Sequence, residues 1–110
     1  MKRIPPVRRL LMDAKKLIAK PENWTKGTYA RSAGNSSIEI FSPRARKFCS
    51  IGALFRAVGK FDLCGHHAPR LLRKCLGQSI GAFNDAPETT HPMIMRLFNK
   101  AIALAKERGI

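Results

Sequence analysis

The sequence predicts a mainly α, single compact domain of about four helices, with a small β-hairpin between the first and second. Three observations predict it. Apolar residues recur at helical spacing over 7–20 and again over 94–105. Proline or glycine stands at the end of each helical run, at Pro21, Gly59, Gly77 and Gly109. Two short β-prone stretches, 29–31 and 38–41, flank the turn-forming run Ser32-Ala33-Gly34-Asn35-Ser36-Ser37. A chain of 110 residues with 45% hydrophobic residues has the size and composition of one globular domain. We assign 1–6 to an extended basic arm and 7–110 to the helical domain.

The first helix places Val7, Leu10, Leu11, Ala14, Leu17 and Ile18 on one arc. Arg8, Arg9, Lys15, Lys16 and Lys20 fall on the other side as one basic stripe. The second helix is expected from about Phe48 to Val58, with Gly52 and Ala53 at its middle, where small side chains let another backbone come close. Its lead-in carries Arg44, Arg46 and Lys47. The third runs from Arg70 to Leu76, with Leu71, Leu72, Cys75 and Leu76 apolar. A short helical turn fits 78–87 and stops before Pro87. The last helix starts with Thr89 or Thr90 as N-cap and buries Ile94, Leu97, Phe98, Ala101, Ile102 and Ala105. The first, second and last helices are expected to supply most of the core.

Charge dominates the functional reading. Twenty-one Lys and Arg face seven Asp and Glu, for a net charge of +14. Such an excess points to a polyanionic partner. Apolar runs fall short of a membrane span, and no signal peptide is expected behind the charged start. Three unpatterned cysteines argue for a reducing compartment, and a cytoplasmic location is expected. No cofactor is implied, and a homo-oligomer is compatible with the reading.

The leading expectation is a non-enzymatic binding protein for phosphate-rich ligands, either a nucleic-acid backbone or a nucleotide in a basic pocket. Arg8, Arg9, Lys15, Lys16, Arg44, Arg46 and Lys47 are the expected contacts. A helix N-terminus binds anions through its free N–H groups, so Ser50 joins them. Trp24, the single tryptophan, is a core anchor with its N–H satisfied, or else a stacking platform.

Two weaker constellations stand beside this. Cys49 near a helix start and cations has the setting of an activated thiol, and His91 with Asp85 or Asn84 completes a Cys-His-acid set for a cysteine-dependent hydrolase. A packed structural cysteine is the plainer alternative. Cys64, His66, His67 and Cys75 are metal-capable, but their spacing matches no usual zinc pattern. The connector 60–69 is longer than the turn of a helix-turn-helix DNA reader.

Three short segments, Trp24-Thr25-x-Gly27, Cys49-x-x-Gly52-Ala53-Leu54 and Asn84-Asp85 before the last helix, carry a resemblance. In that order, over about residues 9–106, the chain resembles a family of small phage and bacterial domains of unassigned function. Members often have Trp before the cysteine; here the residue is Phe48. The resemblance implies a phage or prophage setting, with the host cytoplasm as location, and no activity. By analogy of setting, the alternative function is an anti-defence protein that binds an acidic host protein complex or sequesters a nucleotide immune signal.

Overall fold

The computed structural model describes residues 4–63 and 66–110. Its elements run α1 (Pro6–Leu17), β1 (Ala30–Ser32), β2 (Ala45–Phe48), α2 (Ser50–Val58), α3 (His67–Leu76), α4 (Ile80–Asp85) and α5 (His91–Glu107). A 3-10 turn, Pro21–Asn23, follows α1. The fold is mainly helical with one two-stranded antiparallel sheet between α1 and α2, as expected.

The helix α1 is central because its apolar arc is wide. Val7, Leu10, Leu11, Ala14 and Ile18 are buried, and α1 packs on α2, α3 and α5. It ends at Leu17, earlier than expected. Ile18 leaves the helical conformation, stays fully buried, and turns its carbonyl to His91. The long α5 packs Ile94, Leu97, Phe98, Ala101 and Ala105 against α1 and α3. Burying a leucine or phenylalanine stabilises by about 1.5–3 kcal/mol each, so these stripes outweigh local propensity. Through Ala68, Leu71 and Leu72, α3 adds to the core more than its short pattern suggested. The chain reverses after α2 and α3 through Gly59 and Gly77, both at positive φ, where a side chain would be strained.

The sheet differs from the expected hairpin. Its second strand is Ala45–Phe48, not 38–41, in the register Ala30↔Phe48, Arg31↔Lys47 and Ser32↔Ala45 with a bulge between Arg31 and Ser32. The 38–41 stretch is held by an isolated Arg31–Ser37 bridge and an Ile38 N–H bond to the Ala30 carbonyl. Its buried Ile40 acts as an anchor from an extended loop. On the other side of β2, Trp24 bridges Phe48, and Thr25 N–H donates to the Phe48 carbonyl at 3.0 Å. Phe48 is therefore strand, and α2 starts at Ser50 with Cys49 as N-cap.

Gly52 lies one turn into α2. A Cβ there would stand 2.1 Å from the Tyr29 carbonyl oxygen. That same oxygen accepts the Cys49 N–H at 3.2 Å. The lead into β1 thus rests directly on the first turn of α2, the close backbone approach that Gly52 and Ala53 predicted.

Candidate functional site

The three motif segments converge on one polar centre built around Asn84. This side chain is buried at the end of α4, and its Oδ1 accepts from Trp24 Nε1 at 2.7 Å, Ser50 N–H at 3.0 Å and Ser50 Oγ at 2.7 Å. Its Nδ2 donates to the Thr25 carbonyl at 3.1 Å and to Asp85 Oδ1 at 3.0 Å. Asp85 Oδ1 also accepts the Gly27 N–H at 3.0 Å. An amide offers two donors and one acceptor oxygen, so Asn84 is saturated. It joins the Trp24 loop, the start of α2 and the end of α4.

This centre corrects the anion site expected at the second helix. Ser50 is fully buried, and both its N–H and its hydroxyl donate to Asn84. The Gly52 N–H donates to Cys49 Sγ at 3.2 Å. The amide oxygen and thiol already satisfy what an anion would have bound. Arg44, Arg46 and Lys47 are not at a helix terminus either. Arg46 and Lys47 belong to β2, and Arg44 precedes it.

Of the two readings of Cys49, the geometry favours the packed cysteine over the activated thiol. Burial pushes the Cys49 thiol above its ordinary range, the nearby Asp85 charge adds to that, and the N–H groups of Gly52 and Ile51 offset only part. His91 is committed elsewhere: its Nε2 lies 2.7 Å from the Ile18 carbonyl, and its ring faces Trp24 at 6.0 Å. Among the described residues no hydrogen bond joins Cys49 to His91. Asp85 instead braces Gly27 and Asn84. A cleft of about 490 Å³ does open beside Cys49, lined by Gly27, Thr28, Tyr29, Ile51, Asn84 and Asp85 among others. Among the described residues no hydrogen bond joins Cys49 to Asp85 there.

The metal-capable set does not assemble among the described residues; Cys64 lies outside them. His67 opens α3 and Cys75 is in its last turn, so the helical rise separates them by roughly 12 Å.

Trp24 has its N–H satisfied by Asn84 and packs on the core, with Lys26 Nζ 5.4 Å from its ring centre. These contacts fit the anchor reading.

The cations of α1 split into two rows. Arg9, which is paired with Asp13 at 3.3 Å, and Lys16 lie in one; Arg8 and Lys15 lie in the other. Lys16 joins Asp13, Asn23, Arg46, Phe48 and Arg56 in lining a groove of about 530 Å³. Arg46 also lines an adjoining hollow of about 370 Å³ with Arg44, Ser32 and Ser36. Lys16 also lines a second hollow, with Lys15, Asn99 and Ile102. Lys47 donates instead to Asn35 Oδ1.

Arg56, in α2, is a groove residue that the charge pattern did not single out. It donates to the carbonyls of Ile40 at 2.8 Å and Ser42 at 3.1 Å, with its guanidinium 5.8 Å from the Phe48 ring centre. Its position one turn before Gly59, on a helix with few other charges, was the available signal. Arg31 was missed too. It clamps Thr25 Oγ1 and the carbonyls of Lys26 and Asn35, fixing the Trp24 loop to the turn after β1.

The fold and these contacts define a small helical domain with a saturated polar hub and a separate basic groove. The chain belongs to a family of unknown function (DUF6197), whose model matches residues 2–104. No curated protein and no solved structure matches it. Among the described residues no helix is long and apolar enough to cross a membrane.

Proposed function

We propose that the protein binds phosphate-rich ligands, a nucleic-acid backbone first and a nucleotide second, in the groove between α1, β2 and α2. The observation that carries this is the meeting of Lys16, Arg46 and Arg56, from three different elements, around one groove. Arg44 extends the same sign into the adjoining hollow. A net charge of +14 steers anions toward any such concave surface. The reading is of a binding protein, because cations from three elements face the groove and burial pushes the Cys49 thiol away from the reactive thiolate form.

Fluorescence anisotropy with mixed-sequence DNA over a salt series tests it. Each phosphate neutralised contributes about −0.7 to −0.9 to the slope of log K against log salt. A steep negative slope is expected. A flat slope, or no binding at low salt, would remove the nucleic-acid form of the proposal. Tight binding of free nucleoside triphosphates with weak binding of DNA would favour the pocket form.

A further inference from the structure

Four aromatic rings gather on the surface next to the basic groove. Phe61 stacks on Phe55, with ring centres 4.5 Å apart and planes at 29°. Tyr29 meets Phe55 and Phe61 edge-on at 5.5 Å and 5.6 Å, and Phe41 meets Phe61 at 6.2 Å. Tyr29 is 47% exposed and Phe61 55% exposed. Core aromatics do not stay this open. Phe55 stacks on Phe61, and Tyr29 and Phe41 meet it at steep angles, so the ring is braced by three neighbours while more than half of the residue stays exposed.

From the Proposed function reading, and resting on it, we infer that this cluster is a base-stacking platform and that the polyanion is a single-stranded nucleic acid. Two features select that occupant. The first is continuity with the groove. Arg56, a groove residue, donates to the carbonyls of Ile40 and Ser42, which flank Phe41. The groove and the aromatic cluster are thus joined through Arg56 and the backbone on either side of Phe41. The second is charge. Lys60 precedes Phe61, and Arg44 follows shortly after Phe41, with Glu39 and Asp62 as acidic neighbours within a strongly basic chain. An apolar ring surface set among cations is the combination that single strands use, since every base has a π-face and every nucleotide a charge. A duplex hides its bases in the stack and offers this platform nothing.

The test uses the full chain and two labelled probes of equal length and charge: an oligothymidylate and an abasic deoxyribose-phosphate oligomer. Wild-type protein is expected to bind the thymidine probe about tenfold more tightly, the scale of one or two aromatic stacks. Phe61→Ala should erase that preference while leaving abasic affinity unchanged, and Phe61→Tyr should retain it. Equal affinity of the wild type for both probes overturns the platform but leaves the phosphate reading standing. No salt-sensitive binding of either probe overturns both. A concentration-dependent dimer that Phe61→Ala dissolves, with the probe preference unchanged, assigns the patch to a second copy of the chain and also overturns the platform.

Discussion

Asn84 shows how one side chain can decide a local structure. It satisfies groups from the Trp24 loop, the start of α2 and its own neighbour Asp85. Asn84→Ala leaves buried donors on Trp24 and Ser50 without partners, each costing about 1–3 kcal/mol. The expected loss is about 3 kcal/mol, read by chemical denaturation. Cys49 gives a second prediction at this scale. Its thiol is pushed up by burial, so the protonated form persists in the folded state through neutral pH. The contribution is constant below the unfolded thiol's range and is lost as pH rises above it. Mild alkylation near pH 8 should modify Cys49 at least tenfold more slowly than half-buried Cys75, and denaturant should erase the difference. Rapid native labelling of Cys49 would contradict the packed reading.

At the scale of elements, α2 is the informative case. In an open helix, Gly→Ala stabilises by about 1 kcal/mol. At Gly52 the added Cβ would meet the Tyr29 carbonyl at 2.1 Å, so the backbone must move. Gly52→Ala should therefore destabilise by about 2–3 kcal/mol, as overpacking does, and thermal unfolding reads that sign directly. The helices were legible from spacing alone, because α1 and α5 carry apolar stripes that only a helix can bury together. The strand β2 was not legible. Ala-Arg-Lys-Phe is too short to show alternation, and its pairing with β1 on one side and Trp24 on the other is non-local. The 38–41 stretch has better strand propensity but only isolated pairing. Tertiary context overrode propensity in both places. The same misplacement of β2 produced the mistaken anion site at α2, since it moved Arg44, Arg46 and Lys47 onto a helix start.

At the scale of the whole molecule, the basic composition was plain, but its distribution was not. The α1 cations read as one stripe, but the sequence did not show that the fold sets Arg46 and Arg56 beside Lys16, which also shares a hollow with Lys15. A one-dimensional pattern shows which face a residue occupies, not which neighbour faces it. A second cationic face lies on α3, where Arg70 and Arg73 line a hollow with Ser79 and Ile80. That face permits a control in which charge is held constant and only position changes. The most direct measurement compares the DNA affinity of Lys16→Glu/Arg46→Glu with that of Arg70→Glu/Arg73→Glu at one fixed low salt. The groove variant is expected to bind at least tenfold more weakly than the α3 variant, with a salt slope about two units shallower than wild type. Equal losses in the two variants would mean that net charge alone attracts the polyanion, and would contradict the groove as its site.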